Sequence, residues 1–581
     1  MILQSLVNYY GKLVEKGAIS KPGFANVKIA WAVELDDSGS IIGVHPLKTE
    51  SKDGKKMLPR EITLPAPVKK TSGERSNFLW ENAEYLLGIS TKDDTAKTAK
   101  RFATAKELHE TLLADLHTPV AEAIKSYFAT CDPQKTAELL PDGCMEELQK
   151  GANLTFLYQN KFPNAFPELC AAWDRYYGGK KEGELLVDIV TGEVVVPEET
   201  HPAIKNVLNA QSSGAALVSF NAEAFTSFGR EQNLNAPMGK DTAFAYTSAL
   251  NNLTADQGHR QHIGDMTVVY WSEDAEDAYR VVMDSLLEGS EDADTDAELH
   301  SIMQNIAAGR DTPFGGTVLS PENAFYILGI SPNAARLSVR FFRQSSFGDV
   351  VSHIKQHYDD IAMISDGRSK WDCIPLWALL KETVNPKSSD KTPAPQLAGD
   401  TLRAVLTGGR YPETLYAQTI LRIRAEHEIT RGKAAIVKGY LLRNTKNRND
   451  YKEIKEASTM ALNEESNYTP YVLGRLFSVL EAAQSAANSG INSTIKDRYF
   501  NSACATPAAV FPILMKLANS HLKKLGGGAQ VFYGKQIGDL AARLETEFPK
   551  TLSLQEQGAF ILGYYHQTQK RFEKKNNTEE N

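Results

Sequence analysis

The apolar residues of this chain follow two different periods, and the change between them lies near residue 400. Before it, apolar and polar residues alternate in several short stretches, which is the pattern of half-buried strands. The clearest stretches are 26–47, 184–197, 264–271 and 336–344. After it, apolar residues recur every three or four positions, as in amphipathic helices. We therefore predict an α+β fold, with an N-terminal mixed α/β region around a mainly antiparallel sheet and a C-terminal helical bundle.

Four helices are predicted beyond residue 460, because each has a start signal or an apolar stripe. In chain order they begin at Thr469, at Thr506, near 537 and at Ser553. A proline follows each of the first two residues, and Glu556 completes a capping-box pattern for the last. Together they predict a four-helix bundle over 460–581.

A chain of 581 residues is too long for one hydrophobic core, and several domains are expected. The Pro/Ser/Lys-rich tract 385–400 is typical of a linker. The predicted parts are an N-terminal α/β region with a basic loop (1–210), a second α/β part (211–400) and a C-terminal helical domain (401–581) that contains the bundle. The second part includes an acidic insert, 272–300.

Charge is unevenly distributed, although the net charge is −8. Residues 401–581 carry 25 Lys and Arg against 17 Asp and Glu, whereas 272–300 has eleven acids and one base. Nucleic acid is attracted by local groups of cations, so the acidic average does not exclude it as a partner.

The five cysteines are scattered and form no C-x-x-C pair, which argues against a disulfide framework and against a zinc ribbon. The longest apolar run, 508–515, is too short to span a membrane. The N-terminus lacks the pattern of a secretion signal. We expect a cytoplasmic protein with reduced thiols and no membrane partner.

A loop at 65–80, PAPVKKTSGERSNFLW, groups basic and small polar residues between prolines and a tryptophan. Its candidate binding residues are Lys69, Lys70, Thr71, Ser72, Arg75 and Asn77. Such a loop suits an anionic partner, and it is equally compatible with ordinary solvated surface.

Basic residues with nearby aromatic residues recur in the C-terminal part, which suits a groove that binds a single nucleic-acid strand by charge and base stacking. The candidates are Arg422, Arg424, Arg431, Lys433, Lys438, Arg443, Lys496, Arg498, Lys523 and Lys524. The alternative is a solvated helix pair in which these cations form salt bridges with Glu426 and Glu428.

A different function is suggested by His353, His357 and Asp359, which lie at helical spacing. They would suit a metal-dependent nuclease or phosphohydrolase, but Ile354 stands where an H-E-x-x-H motif has its catalytic glutamate. Other enzyme motifs are weak, and we expect no cofactor and no catalytic activity.

The order of several motifs resembles one known family. The motifs are MILQSLVNYY, PAPVKKTSGERSNFLWENAEYLLGI, HPAIKNV, SFNAEAFTSFGREQNLNAPMGKDTAFAYTSALN, ISPNAARLSVRFF, YVLGRLFSVLEAAQ and STIKDRYFNSACATPAAVFPILMKLANSHLKKL. Over nearly the full chain they resemble the large subunit of type I-C CRISPR surveillance (Cascade) complexes. The acidic insert 272–300 has no counterpart in this resemblance.

The resemblance implies a non-catalytic subunit that binds target duplex DNA and senses the protospacer-adjacent motif (PAM). It also implies that the subunit promotes R-loop formation, holds the displaced strand and recruits a separate helicase-nuclease. In RNA-guided systems, pairing reads the sequence and protein reads the PAM. The implied partners are the crRNA-bearing backbone, the crRNA-end subunits and a small helical subunit.

The resemblance gives the basic loop a role on the PAM side. Lys69 and Lys70 would hold phosphates, and the short polar residues would reach base edges or backbone. A second loop at 225–237 offers Ser227, Arg230, Gln232, Asn233 and Asn235 for the same purpose. Its alternative is a polar turn rich in Asn and Gly, and which loop touches bases stays open.

Translation from Met460 would yield 122 residues that comprise just the predicted bundle (581 − 460 + 1). Small subunits of related complexes are helical bundles of this kind. Met460 is therefore a candidate internal start, with the alternative that it is an ordinary methionine.

Overall fold

The computed structural model describes residues 1–50, 57–68, 74–91, 94–179, 183–289, 293–364, 371, 373–544 and 547–572. The chain divides into two compact units. One comprises Met1–Tyr9, Pro202–Ser219 and Thr247–Asn581, and the other Tyr10–His201 and Phe220–Tyr246. We call them the large unit and the small unit. The predicted α+β class is confirmed.

The helices of the described residues are, in chain order, α1 (Ile2–Glu15), α2 (Ala83–Leu86), α3 (Thr95–Leu113), α4 (Pro119–Thr130), α5 (Pro133–Glu138), α6 (Cys144–Gln149), α7 (Pro167–Tyr177), α8 (Lys240–Ala255), α9 (Asp277–Glu288), α10 (Ala293–Ala307), α11 (Phe347–Ile361), α12 (Leu376–Lys381), α13 (Pro395–Thr407), α14 (Glu413–Glu426), α15 (Arg431–Asn444), α16 (Tyr451–Ala457), α17 (Thr469–Ala487), α18 (Ile495–Ala505), α19 (Pro507–Leu525), α20 (Gly527–Ala541) and α21 (Leu554–Lys570).

The strands are β1 (Phe24–Ile29), β2 (Trp31–Leu35), β3 (Ile41–Pro46), β4 (Lys48–Glu50), β5 (Met57–Pro65), β6 (Trp80–Asn82), β7 (Asn153–Tyr158), β8 (Leu186–Val187), β9 (Val194–Val195), β10 (Arg260–Ile263), β11 (Met266–Ser272), β12 (Thr312–Phe314), β13 (Thr317–Leu319), β14 (Ala324–Asn333) and β15 (Arg336–Ser346).

The small unit contains a four-stranded sheet in the order β3-β2-β7-β6 and a three-stranded sheet in the order β1-β5-β4. The stretch 26–47, predicted as strand, contains a hairpin of β2 and β3, joined by a turn in which the Asp36 carboxylate accepts hydrogen bonds from the backbone of Ser38 and Ser40. However, β1 lies in the other sheet. The alternating pattern runs through Ala30 unchanged, so it does not reveal that the strand passes from one sheet to the next there.

The large unit is built on an antiparallel sheet in the order β10-β11-β14-β15. Helices α9 and α11 contribute to the core on one face of it; for example, Phe347 of α11 packs against Phe325 of β14, with ring centroids 5.2 Å apart. The acidic insert 272–300 folds largely as α9 and the beginning of α10. The apolar side of α9 lies in this core.

The same hydrophobic core continues into the C-terminal helices. Its buried residues run from Met266 in β11 to Tyr565 in α21. The boundary predicted at residue 400 therefore does not separate two cores, and the predicted linker 385–400 already contains the beginning of α13. The composition of 385–400 indicated a linker, but the apolar face of α13 packs into the core of the large unit.

The described residues beyond 460 form five helices, not the predicted four. The additional helix, α18, begins after Thr494, which forms a capping box with Asp497. This T-x-x-D pattern is visible in the sequence and could have predicted the helix. In addition, α20 begins at Gly527, ten residues before the predicted start near 537, because the chain turns at Gly526 (φ +62°) and resumes a helix at once.

Helices α17 and α21 cross at two glycines. A Cβ atom on Gly474 would overlap the carbonyl oxygen of Phe560, and one on Gly563 would overlap that of Tyr471. The two backbones are therefore in direct contact, an approach that any larger residue prevents.

Candidate nucleic-acid interface

The basic loop at 65–80 is described only at its two ends, since Lys69, Lys70, Thr71 and Ser72 lie outside the described residues. Arg75 is exposed. Asn77 is buried: its Oδ1 accepts a hydrogen bond from the Val68 backbone N–H (2.9 Å), and its Nδ2 donates to Glu81 (3.0 Å). The prediction that Asn77 reaches DNA is therefore corrected, because its amide closes the base of the loop.

Glu74, the acid of this loop, is held by the small unit itself. Its carboxylate accepts hydrogen bonds from the Tyr85 hydroxyl (2.6 Å) and from Arg101 Nε (3.0 Å). The bond from Tyr85, and then that from Arg101, lower the pKa of Glu74. Its negative charge is thus compensated by Arg101, which reduces its repulsion of an anionic partner.

The second candidate loop, residues 225–237, is held in place by the side chain of Asn235. We call it the Phe228 loop, after the residue at its turn. The Oδ1 of Asn235 accepts a hydrogen bond from the Ser227 N–H (2.8 Å). Its Nδ2 donates to the carbonyl oxygens of Arg230 (2.8 Å) and Gln232 (2.9 Å). Asn235 therefore supports the loop from inside, and its side-chain amide is already engaged.

Phe228 stands at the turn of this loop with 98% of its surface exposed. Its backbone has φ +53°, a left-handed conformation that costs a residue other than glycine about 1–2 kcal/mol. A strained backbone that carries an almost fully exposed apolar ring is unfavourable in the free protein. Strain of this kind concentrates at functional sites. Phe228 was not predicted from the sequence, where its signal is a single aromatic residue before Gly229 in a polar run.

The other predicted residues of the Phe228 loop differ in accessibility. Ser227 and Gln232 are exposed, and Arg230 is partly exposed and makes no ion pair within the described part of the chain. Asn233 is buried, and no described residue forms a hydrogen bond with its Oδ1. The prediction of Asn233 as a DNA contact is thus corrected, because the chain itself covers its side chain.

Four of the predicted strand-binding cations are interior residues of α15: Arg431, Lys433, Lys438 and Arg443. Most of them stabilise the end of α11. Lys438 Nζ donates to the carbonyls of Asp359 and Asp360 (both 3.0 Å), and burial lowers the pKa of Lys438 to about 8. Arg443 Nε donates to the Asp360 carboxylate (2.7 Å).

Arg431 donates to the carbonyl of Met363 (3.1 Å) beyond the end of α11, and Lys433 forms an ion pair with Glu426. The prediction that these four cations lie on a basic surface is therefore wrong. Helix α15 is buried nearly all round, and a count of charges along the sequence does not reveal that. The predicted salt bridge to Glu426 was the correct alternative for Lys433.

Three of the remaining six cations are partly covered. Arg422 pairs with Glu426 (3.4 Å), and Arg424 donates to Gln557. Lys496 Nζ lies 4.9 Å from the ring centroid of Tyr564, and burial lowers its pKa.

The other three, Arg498, Lys523 and Lys524, are exposed. The guanidinium of Arg498 lies 5.3 Å from the ring of Tyr499. Exposed residues of α19 and α20 that the sequence analysis did not select are Lys516, Lys535, Val531 and Phe532. Exposed cations and an exposed aromatic ring thus occur on these two helices.

The residues of the predicted metal site do not converge. His357 is buried and its Nδ1 pairs with the Tyr411 hydroxyl (2.5 Å), whereas His353 Nδ1 pairs with the carbonyl of Leu406 (3.1 Å). Asp359 is exposed and pairs with Lys355 (2.6 Å). Within the described residues, no group of three or more His, Cys, Asp or Glu side chains is arranged to hold a metal ion.

Comparison with protein families places the chain among CRISPR-associated proteins. The matching family is described as CRISPR-associated protein (Cas_Csd1), its model matches residues 6–572, and the chain belongs to this family. The resemblance to the large subunit of type I-C Cascade is thereby confirmed, and the chain is a Cascade component. A search of curated proteins found no match. Among the described residues, no helix is both long and apolar enough to cross a bilayer.

Proposed function

We propose that this subunit recognises the PAM in target duplex DNA, promotes R-loop formation, holds the displaced strand and recruits the helicase-nuclease, without catalysing a reaction itself. The observation that supports the proposal most strongly is the Phe228 loop. It presents an exposed ring on a backbone that Asn235 fixes before any partner binds. A cytoplasmic location agrees with this role.

Within the Phe228 loop, different side chains suit different contacts with DNA. Arg230 would bind a phosphate or a narrow minor groove, and Ser227 and Gln232 would hydrogen-bond base edges. The ring of Phe228 would stack on a base or enter a base step, as apolar residues do in minor-groove proteins. Lys69, Lys70 and Arg75 of the basic loop would add phosphate contacts, with Thr71 and Ser72 beside them.

For the displaced strand, we propose a smaller set of residues than the sequence suggested. Arg498, Lys523 and Lys524 are exposed, and Lys516, Lys535 and Phe532 of α19 and α20 extend the set. Cations and aromatic rings bind single strands with little sequence preference.

The proposal is tested by binding of the assembled complex to target duplexes with a permissive or a scrambled PAM, at two salt concentrations. We expect Phe228→Ala to weaken binding to the permissive duplex by about 1–3 kcal/mol, the range of base–aromatic stacking, and to reduce the PAM preference. The matched control is Phe572→Ala, which removes another exposed ring. It should leave binding unchanged.

The lysine pair is tested in the same assay. Lys69→Ala/Lys70→Ala should weaken binding to both duplexes equally and make the salt dependence shallower, because phosphate contacts carry no sequence information. If this pair reduced the PAM preference and Phe228→Ala did not, the basic loop would be the PAM sensor. If neither variant changed the preference, the assignment of PAM reading to these loops would be rejected.

We also propose that Met460 starts a small subunit of the same complex. The segment that follows contains α17 to α21, and α17 and α21 form its closest helix pair, in contact at Gly474 and Gly563. The partners of the full-length chain would then be the crRNA-bearing backbone, the crRNA-end subunits, this small subunit, target DNA and the helicase-nuclease.

A further inference from the structure

Within the described residues, strand β15 leaves one edge of its sheet unpaired over most of its length. It is the last strand in the order β10-β11-β14-β15 and is 11 residues long. At its beginning, the Leu337 N–H donates to the carbonyl of Ala216 (2.9 Å). Beyond that point, from Ser338 to Ser345, the described residues provide no further backbone partner on the outer side. A sheet edge of this length is a template for another strand.

The register shows which backbone groups are available. The Glu273 N–H donates to the carbonyl of Ala324 (2.8 Å), so Ala324 faces β11. Backbone N–H and C=O groups point to alternate sides along a strand, so those of the other even-numbered residues of β14 also point to β11. The residues of β15 opposite them therefore point their N–H and C=O groups away from β14, toward the open edge. The outward-facing residues of β15 are Val339, Phe342 and Gln344.

The usual protections of an exposed edge are weak here. Natural edge strands are protected by proline, by charged side chains (lysine above all), by bulges or by short length. Residues 336–346 contain neither proline nor lysine. A register shift leaves Arg340 without an opposite residue in β14, but from Phe341 to Ser345 the strand is regular. The edge is thus able to pair over that stretch.

The charge of β15 indicates the chemistry of its partner. Residues 336–346 include arginines and no acid. Arg340 is half-exposed and contacts Asp265 (3.2 Å). The Nε of Arg343 is buried and has no hydrogen-bond partner among the described residues, which is costly for a charged group. The Arg343 side chain as a whole is partly exposed, so a carboxylate placed beside β15 could pair with its guanidinium group.

We propose that the open edge of β15 binds an extended segment of another protein subunit of the complex. The segment adds as a strand beside Phe341–Ser345 and places a carboxylate against Arg343. A nucleic-acid strand has no backbone N–H groups and does not match the alternating donors and acceptors. A second copy of β15 would bring more arginines to the edge and no acid to compensate them, which is unfavourable for pairing. The proposal does not depend on PAM reading.

The first test is hydrogen exchange of the backbone amides in 338–346, compared between the isolated chain and the purified crRNA-containing complex. Strand addition should slow exchange of the outward amides of Phe342 and Gln344 by on the order of tenfold or more, because unpaired edge amides are accessible to water. The inward amides of Arg343 and Ser345 are already bonded to β14 and serve as an internal reference. This test needs no variant, so it does not depend on whether a substituted chain folds.

The second test is a matched pair of substitutions at Gln344. Gln344→Pro removes an outward N–H and leaves the bonds to β14 intact, since proline is tolerated on edge strands. Gln344→Ala removes the side chain and keeps the N–H. We expect the proline variant to join the complex with an affinity about three- to tenfold lower, which corresponds to the loss of one backbone hydrogen bond. The alanine variant should join normally.

Several outcomes would overturn the proposal. Unchanged exchange in the complex would mean that no strand covers the edge. Protection that appears in the isolated chain and increases with its concentration would identify a second copy as the occupant. Protection that requires added DNA would identify nucleic acid instead. Equal loss of assembly with Gln344→Pro and Gln344→Ala would exclude backbone pairing as the cause.

Discussion

At the scale of single residues, several buried histidines share one arrangement. His357 and His566 each pair through Nδ1 with a tyrosine hydroxyl, that of Tyr411 (2.5 Å) and that of Tyr471 (2.9 Å). Their Nε2 atoms are buried and have no hydrogen-bond partner in the part of the chain that the structure describes. Burial lowers the pKa of both histidines to about 3. Both rings are therefore neutral in the folded protein, and a proton on either ring would be strongly unfavourable.

These histidines make stability depend on pH. Their pKa values are below the ordinary value of 6.5, so the unfolded chain binds protons first as the pH falls. Stability is complete above pH 6.5 and is lost as the pH falls toward 3. From pH 7.5 to 5.5 each histidine should cost about 1.4 kcal/mol. Nearby cations act in the same direction: Arg443 near His357, and Lys438 and Arg475 near His566.

The measurement is thermal unfolding of wild type and His566→Gln at pH 7.5 and 5.5, followed by circular dichroism. The variant should be less stable at pH 7.5, because Tyr471 loses its ring partner, but its Tm should fall less at pH 5.5. Burial also lowers the pKa values of His109 and His201, to about 4, so a reduced dependence on pH should remain. An equal fall of Tm in both proteins would contradict this explanation.

At the scale of elements, the closest helix contact is the crossing of α17 and α21. Gly474 and Gly563 allow the two backbones to touch, and the buried rings of Phe477 and Phe560 pack beside the crossing, with centroids 6.0 Å apart. The sequence predicted both helices from their caps. It did not predict the crossing, since two glycines in separate helices carry no signal of which helix each one faces.

We predict that Gly474→Ala and Gly563→Ala each destabilise the protein by about 3 kcal/mol or more, because a methyl group would have to displace a backbone carbonyl. The matched control is Gly538→Ala in α20, where a Cβ meets no atom within 4 Å. It should be neutral or stabilising by about 0.5–1 kcal/mol, since alanine favours helix. The check is the urea unfolding midpoint of each variant. A control as damaging as the two crossing variants would refute the explanation.

At the scale of the whole molecule, the sequence predicted the α+β class, several strands and the helix starts at Thr469, Thr506 and Ser553, because these depend on local patterns. It did not predict the continuous core that joins the sheet of the large unit to α15 and α21. Long-range packing also explains the errors in the candidate site. The four cations of α15 look like surface residues in the sequence, and Phe228 became a candidate only when its exposure was known.

The continuous core determines which surface the proposed small subunit would expose on its own. In the full chain α21 packs against α14 and α15, and the Tyr416 hydroxyl donates to the carbonyl of Leu554 (2.7 Å). Residues 460–581 alone would expose this face of α21. We therefore expect the short product to be found within the complex, with this face against another subunit.

The test is a mass spectrum of the complex expressed with Met460→Ala from a codon that does not start translation. Met460 is 57% exposed, so the substitution should not disturb folding of the full chain. The short product should disappear. As a control, synonymous recoding of codons 455–459 leaves the amino-acid sequence unchanged and removes any ribosome-binding sequence there. This recoding should also reduce the amount of the short product. Persistence of the product in both cases would reject the internal start.

The support that Asn235 gives to the Phe228 loop has a consequence for the speed of target search. Association is slower when binding requires a conformational change of the protein. The hydrogen bonds of Asn235 hold the loop in its conformation before binding, so no folding step of this loop has to precede contact with DNA. In the proposed role, each DNA site that the complex meets can therefore be accepted or rejected without waiting for the loop to fold.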